Sequence, residues 1–165
     1  MVVKLIPVPE ERKKVLSRLA QLYLYDFSEI EGFDIGEDGL YTLKHLDSYW
    51  TKPDRHPFFI LAGRRIAGFA LVNTITYAYK RGEANSVAEF FVMRKYRRRG
   101  IGREAARRLF NAFPGKWEVR QTTSNVAGQL FWRSVIAEYA GGKFEETFIN
   151  NKFWRGPAQL FDTTS

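Results

Sequence analysis

Two glycines in a run of cations, Gly100 and Gly102, are the residues that most directly suggest chemistry. Residues 87–93, which lie before this run of cations, are apolar apart from Glu89, and this pattern predicts a buried strand. Small and apolar residues recur with helical spacing after Gly100. Glycine at a strand-to-helix turn permits positive φ and lets a ligand approach the first helical N–H groups, which lack internal partners. Such a turn suits an anion, and a diphosphate best.

The positive charge of the chain is concentrated at this turn. Eight cations and one acid lie between Arg94 and Arg108, a net +7 out of +8 for the whole protein. Three interpretations follow. The first is a solvated basic helix. The second is a dinucleotide fold, because residues 100–105 match G-x-G-x-x-A. The third is a coenzyme A pyrophosphate loop, because residues 97–102 match Q/R-x-x-G-x-G/A. The dinucleotide match is weak, since six residues, five of them basic, separate the strand from Gly100.

At the third motif the sequence resembles the GCN5-related N-acetyltransferase (GNAT) superfamily, in a bacterial-type branch. A second site agrees, because Asn125 follows the fifth predicted strand and Phe131–Trp132 lie on the next helix. The predicted element order, β-α-α-β-β-β-α-β-α-β-β, agrees over essentially the whole chain. The resemblance implies an α/β fold (α+β in stricter usage), with a mixed, twisted sheet of about seven strands and helices on both faces. We expect a single domain over residues 1–165.

The elements on which this order depends are predicted from hydrophobic periodicity and from glycine and proline positions. The predicted strands are Val2–Val8, Phe58–Ala62, Ile66–Thr76, Val87–Met93, Trp117–Thr122, Lys143–Asn150 and Phe153–Phe161. The predicted helices begin at Pro9, Leu40, Ile101 and Asn125, and the second is a short one ending at Trp50. Gly63-Arg64 is predicted to be a tight hairpin turn.

The resemblance implies direct acetyl transfer from acetyl-CoA to an amine, without a covalent enzyme intermediate and without a metal. The phosphates of acetyl-CoA would contact the turn at Gly100. The pantetheine of acetyl-CoA would run beside the fourth strand, where a bulge frees backbone groups. The residues so assigned are Phe90, Phe91, Val92, Arg97, Arg98, Arg99, Gly100, Ile101, Gly102, Arg103, Asn125 and Trp132. Phe90, Phe91 and Val92 could equally be core residues, and Asn125 could be a helix N-cap.

Glu89 is the candidate general base. We expect it to share a strand face with Val87, Phe91 and Met93, where desolvation would raise its pKa. The alternatives are an ion pair with an arginine, a solvent-facing side chain, or a water relay that uses another carboxylate. The superfamily often protonates the departing thiolate with a tyrosine, and Trp132 at that position cannot serve as an acid. Tyr139 lies two turns further along the helix.

An acidic stretch between residues 26 and 38 is the candidate acceptor region. Its glycines predict a loop, and in the superfamily the loop between the first two helices covers the acceptor. Asp26, Glu29, Glu31 and Asp34 would attract a cationic acceptor, such as a polyamine, an aminoglycoside or a basic peptide. A solvated acidic loop that balances a basic body is the alternative.

Composition narrows the remaining function classes. The chain has no cysteine, which excludes disulfides, thiolate metal sites and a cysteine nucleophile. No secretory or membrane-spanning pattern is present, so we expect a cytoplasmic protein with acetyl-CoA and an amine as partners. The sequence is compatible with a homodimer. A nucleic-acid-binding or CoA-sensing module is the non-catalytic alternative, although Tyr96 is the only aromatic residue in the basic loop.

Overall fold

The chain forms one seven-stranded mixed sheet in the computed structural model, which describes residues 1–165. The strands are β1 (Val3–Pro7), β2 (His56–Ala62), β3 (Arg65–Asn73), β4 (Asn85–Val92), β5 (Lys116–Arg120), β6 (Glu145–Asn150) and β7 (Arg155–Asp162). Their order is β1-β2-β3-β4-β5-β7-β6, and only β4 and β5 run parallel. The predicted sheet is confirmed, and a doubly wound dinucleotide fold is excluded because its sheet would be parallel.

Helices cover both faces of the sheet, as predicted, although three α-helices form and not four. They are α1 (Lys13–Glu31), α2 (Ile101–Ala112) and α3 (Val126–Tyr139). Helix α1 packs on one face through a core that includes Leu16, Phe59 and Phe69. Helices α2 and α3 pack on the other face through a core that includes Phe110 and Trp117. No helix combines the length and apolar character that crossing a membrane requires.

A bulge in β4 determines which way the side chains near its middle point. The register with β3 pairs Leu71 with Glu89 and Val72 with Val87, so Ala88 is an extra residue. Val87 therefore packs with the α2/α3 core, whereas Ala88 and Phe91 pack with the α1 core. The prediction that Glu89 shares a face with Val87 is wrong, because the bulge turns Glu89 toward α1.

Strands β4 and β5 pair only at their beginnings. Asn85 lies opposite Trp117 and Ser86 opposite Glu118, and no pair follows along the remaining six residues of β4. The two strands separate from there on, so residues 87–92 have no strand partner on the β5 side. The wedge between these strands is the feature of the fold that creates the functional site.

The region between α1 and β2 differs most from the prediction. Helix α1 continues to Glu31 and ends with Gly32 in the left-handed conformation, φ 73°. The predicted helix over 40–50 is wrong, since only Leu46–Trp50 forms a short 3-10 helix. His45 has φ 65°, which a helix cannot contain. The backbone N–H and C=O of Tyr41 bond instead to the side chain of Gln21 on α1.

Predicted strand boundaries lie within a few residues of those observed. The hairpin between β2 and β3 has the expected two-residue turn, with Ala62 paired to Arg65 and Gly63 at φ 62°. The largest difference is at β3, which ends at Asn73.

Candidate active site

The turn before α2 presents a set of backbone donors. A 3-10 turn over Arg94–Tyr96 follows β4, and Arg98 (φ 57°) and Gly100 (φ 77°) are left-handed. Glu104 N–H bonds to Gly100 O, and none of the N–H groups of residues 98–103 has an acceptor within the protein. Alternating handedness and a helix start aim such groups at one point, which is an anion site.

Most cations of the turn are already paired with carboxylates. Asp26 on α1 accepts from Arg94 Nε (3.0 Å) and Nη2 (2.6 Å) and from Arg97 Nη2 (2.6 Å). Partial burial opposes the shift, but these two arginines lower the pKa of Asp26. Arg103 pairs with Glu138 on α3. Lys95, Arg98 and Arg99 are exposed and pair with no carboxylate, so these three cations are left for a phosphate.

Gly102 lets the turn lie against the rest of the site. A Cβ at this position would come within 3.3 Å of the Phe131 ring and 3.6 Å of Val92 Cγ2. Phe131 also stacks near Phe90, with ring centroids 5.9 Å apart. The start of α2, the end of β4 and the start of α3 thus meet at one place.

A cleft of about 880 Å³ opens where β4 and β5 separate. The segments that line it come from α1, the 33–45 loop, both strands, α3 and the β6–β7 loop. The lining residues are Tyr23, Leu24, Phe27, Glu31, Phe33, Asp34, Gly36, Leu40, Tyr41, Thr42, Leu43, Lys44, His45, Val87, Ala88, Glu89, Phe90, Arg120, Gln121, Thr122, Asn125, Trp132, Phe153 and Trp154. Six predicted site residues are therefore brought together: Glu31, Asp34, Glu89, Phe90, Asn125 and Trp132.

Glu89 lies in this cleft with one hydrogen-bond donor from the protein. The Tyr23 hydroxyl donates to Glu89 Oε2. Burial raises the pKa of Glu89 to about 7, against the opposing effects of the Tyr23 hydrogen bond and the Arg120 charge. Burial, and then the neighbouring Glu89 carboxylate, raises the pKa of Tyr23 well above its usual value. Glu89 can therefore exchange a proton near neutral pH, whereas Tyr23 remains a donor.

Asn125 and Trp132 form the α3 side of the cleft. Asn125 Oδ1 accepts from Gly128 N–H at 3.0 Å and caps α3, while Nδ2 has no acceptor within the protein. Trp132 is 7% exposed and packs edge-on against Phe90, with centroids 4.9 Å apart. Tyr139 lies outside the cleft lining and donates to Asn111 Oδ1 at 2.8 Å, so its hydroxyl is engaged elsewhere.

The four acidic residues assigned to the acceptor separate into two pairs. Glu31 and Asp34 line the cleft, and Glu31 accepts from the Thr122 hydroxyl across it. Asp26 and Glu29 do not line the cleft. The prediction of a loop over 26–38 is wrong for Asp26, Glu29 and Glu31, because α1 extends to Glu31.

Sequence reasoning missed the β5 wall of the cleft. Glu118 is fully buried, and its carboxylate accepts from the backbone N–H groups of residues 77–79 at 2.9–3.2 Å. Arg120 Nη1 donates to Glu118 Oε1 at 2.8 Å. The signal was present as two opposite charges at positions i and i+2 of the strand KWEVR. Such a pair is compatible with a buried strand only if each charge finds a partner.

The comparison with protein families decides what this cleft belongs to. A model of the acetyltransferase (GNAT) family matches residues 18–133. The chain belongs to the GNAT family of acetyltransferases. GNAT enzymes take the acetyl group from acetyl-CoA, so the protein is an acetyl-CoA-dependent transferase. No curated protein matches the sequence.

Solved structures share the GNAT fold at low identity. An acetyltransferase from Thermus thermophilus is 15% identical with a TM-score of 0.71, covering 98% of this chain and 97% of its own. An aminoglycoside acetyltransferase in complex with coenzyme A is 12% identical with a TM-score of 0.69, covering 99% and 96%. Spermidine N-acetyltransferase from Vibrio cholerae, in complex with CoA and spermine, is 11% identical with a TM-score of 0.65, covering 98% and 96%.

The residues of this GNAT chain fit acetyl-CoA at both ends of the site. The free N–H groups of residues 98–103, with Arg98 and Arg99, suit the phosphates. The unpaired edge of β4 and the free Nδ2 of Asn125 suit the amides of pantetheine. No group of three or more His, Cys, Asp or Glu side chains is arranged to hold a metal ion.

Proposed function

We propose that this enzyme acetylates the primary amine of a cationic acceptor and that Glu89 removes the amine proton. The observation that carries the proposal is a carboxyl group with a pKa of about 7 in the cleft between β4 and β5. A base is most effective when its pKa lies near the working pH. Acetyl-CoA supplies the activated acetyl group when it is bound.

The proton balance of the reaction requires the protein to remove one proton from the amine. A C–N bond forms and the thioester C–S bond breaks, so the amine must lose a proton, and coenzyme A leaves as a thiolate that takes a proton from solvent. Glu89 takes this proton at its free carboxylate oxygen, because Tyr23 occupies Oε2. Release of the proton to solvent follows through the cleft. Trp132 contributes a wall and no proton, since an indole does not act as an acid at neutral pH.

The charge of the cleft favours a cationic acceptor. Glu31, Asp34 and Glu89 line it, against Lys44 and Arg120. Arg120 is already neutralised by buried Glu118, so it adds little positive potential. The fold is shared with a spermidine N-acetyltransferase and an aminoglycoside acetyltransferase, which makes polyamines and aminoglycosides the first classes to test.

The proposal is tested by incubating the enzyme with acetyl-CoA and each of a panel of amines, and by measuring the free thiol that is released. We expect turnover of polyamines, aminoglycosides or basic peptides, and little turnover of amino acids. Asp34→Asn should lower kcat/KM for a dicationic amine by about threefold to tenfold at low salt, because a carboxylate that attracts the acceptor is lost. Glu37→Gln is the matched control, since exposed Glu37 lies outside the cleft lining. Acetylation of neutral or anionic amines alone would contradict the proposed acceptor class.

A further inference from the structure

Arg120 is held rigidly in the wall of the cleft. Its side chain is 8% exposed at the end of β5. The guanidinium lies 4.5 Å from the centroid of the Tyr77 ring and 5.1 Å from that of Trp154. Nη1 donates to Glu118 Oε1 at 2.8 Å and to Ile75 O at 3.1 Å. Because Glu118 is itself held by three backbone N–H groups, the guanidinium cannot rotate without breaking this network.

One edge of this guanidinium has no acceptor in the protein. Nε is buried without a hydrogen-bond partner, and Nη2 donates to no protein atom. Nε and Nη2 lie on the same edge, and this chain uses that edge elsewhere. Arg94 directs it at Asp26, and Arg133 directs it at Glu146 at 2.7 and 3.0 Å. An unpaired buried donor is costly, so an oxygen is the expected partner of this edge.

The surroundings indicate what kind of oxygen it is. The charge of Arg120 is balanced by Glu118 on its other edge. Glu31, Asp34 and Glu89 line the same cleft, and they would repel a carboxylate. An uncharged oxygen escapes this repulsion and still accepts two hydrogen bonds. A carbonyl and a hydroxyl both meet this requirement.

We propose that Arg120 binds an uncharged carbonyl or hydroxyl oxygen of the acceptor, close to the amine that is acetylated. This inference rests on the proposed function, because it places the amine at Glu89 and the oxygen at the opposite wall. Glu89 and Arg120 line one cleft, so an acceptor that fills this cleft contacts both. The enzyme therefore selects amino alcohols or amino amides over plain amines of the same charge.

Matched diamines test the proposal. The hydroxyl pair is 1,3-diaminopropan-2-ol and 1,3-diaminopropane, and the carbonyl pair is 2,3-diaminopropanamide and 1,2-diaminopropane. Each pair is assayed for kcat/KM with the unaltered enzyme and with Arg120→Lys, which keeps the charge beside Glu118 but lacks the Nε/Nη2 edge. The kcat/KM ratio of the two amines of a pair is measured in each enzyme. Dividing the ratio of the unaltered enzyme by that of Arg120→Lys cancels the intrinsic reactivity of each amine. We expect the preference for the oxygen-bearing member of at least one pair to fall about tenfold or more in Arg120→Lys.

Arg55→Lys is the matched control. Arg55 is also buried, lies over an aromatic ring (Tyr49, 5.7 Å) and has an unpartnered Nε, but it lies outside the cleft lining. We expect it to leave the preference unchanged. Equal preference in Arg120→Lys and the unaltered enzyme would overturn the proposal. So would an Arg120-dependent preference for 2,3-diaminopropanoate over the amide, because that result identifies an anion site.

A second measurement covers the case in which Arg120→Lys does not fold. Calorimetry on the unaltered protein with CoA compares the N-acetyl product of 1,3-diaminopropan-2-ol with that of 1,3-diaminopropane. About tenfold tighter binding of the hydroxylated product is expected. Equal affinities would overturn the proposal. If no amine is acetylated although CoA still binds, the proposed function fails instead, which is a different result from turnover without oxygen preference.

Discussion

The two walls of the cleft each carry a glutamate, and the two residues have opposite surroundings. On β5, Glu118 accepts hydrogen bonds from three backbone N–H groups and from Arg120. On β4, Glu89 has a single hydroxyl donor, Tyr23, and faces the cleft. These donors fix the Glu118 side chain in the wall of the cleft. Glu89 keeps a free oxygen, and burial raises its pKa to about 7, so it can exchange a proton with a molecule in the cleft.

Glu89→Gln should give the largest effect on this comparison. Glutamine can still accept from Tyr23 but cannot take a proton, so kcat/KM should fall by about 10²–10⁴. The unaltered enzyme should show kcat/KM rising with pH through about 7, the pKa of Glu89, and this limb should be absent in the variant. Ionisation of the amine itself gives a separate limb near the pKa of the free amine. Full rate with an unchanged limb near 7 would contradict the assignment of Glu89 as the base.

The same variant should alter the pH dependence of stability. The folded pKa of Glu89 is raised above its unfolded value, so the folded state binds more protons and loses stability as pH rises from about 4.5 to 7. The glutamine side chain does not titrate, so Glu89→Gln does not lose stability over this pH range. The unfolding free energy of the variant minus that of the unaltered enzyme should therefore be about 1–3 kcal/mol larger at pH 8 than at pH 5. Denaturant titrations at both pH values measure the difference, and the opposite sign would mean that Glu89 is stabilised as an anion.

Glu118→Gln should damage the fold where Glu89→Gln does not. Removing one partner of a buried ion pair leaves Arg120 uncompensated, which costs about 3–5 kcal/mol of unfolding free energy. Urea unfolding measures this loss. Glu83→Gln is the control on an exposed ion pair with Lys116, where the loss should be much smaller because solvent screens the pair. Equal stabilities of Glu118→Gln and the unaltered protein would remove the contrast between the walls.

The contrast between the two walls also explains which parts of the site could be predicted from the sequence. The turn at Gly100 is one contiguous segment, so its strand, cations and helix start are visible together. Glu89 is visible as the one acid of an apolar strand. The partners of Arg120 are Tyr77, Glu118 and Trp154, and two of these lie more than thirty residues away, so no local pattern reveals that they meet. Contacts of this kind depend on the assembled sheet.

Three further errors in the prediction have physical causes, and the sequence contained only part of them. Helix α1 runs to Glu31 because its first strong stop signal is Gly32, whereas the predicted loop began at Asp26, inside the helix. The predicted helix at Leu40 has good apolar spacing. It is prevented by the side chain of Gln21, which bonds the Tyr41 backbone, and by the left-handed His45. A bulge at Ala88 likewise depends on pairing with β3 and leaves no trace in β4 alone.

Gly100→Val separates loss of acetyl-CoA from loss of the base. A β-branched residue at φ 77° is strained even though its side chain has open space around it, and relief of this strain would move the free N–H groups of the turn. The thermal shift caused by CoA should disappear and the KM for acetyl-CoA should rise by about tenfold or more, while the pH limb near 7 stays. Gly63→Val, at φ 62° in the β2–β3 hairpin with open space around it, carries similar strain and should keep the CoA shift. An unchanged CoA shift in folded Gly100→Val would mean that the turn does not hold the phosphates.

Tyr23→Phe should give the smallest effect and tests the β4 wall most finely. Phenylalanine keeps the packing against Phe27, Phe69 and Phe91 but removes the only hydrogen bond to Glu89. That bond stabilises the ionised carboxylate, so the pKa of Glu89 should rise and the limb of kcat/KM should move upward by about one pH unit. Activity at pH 7 should fall by about threefold to tenfold and recover at higher pH. A limb that stays near 7 would mean that Tyr23 only packs against the strand, and that burial and Arg120 alone determine the pKa of the base.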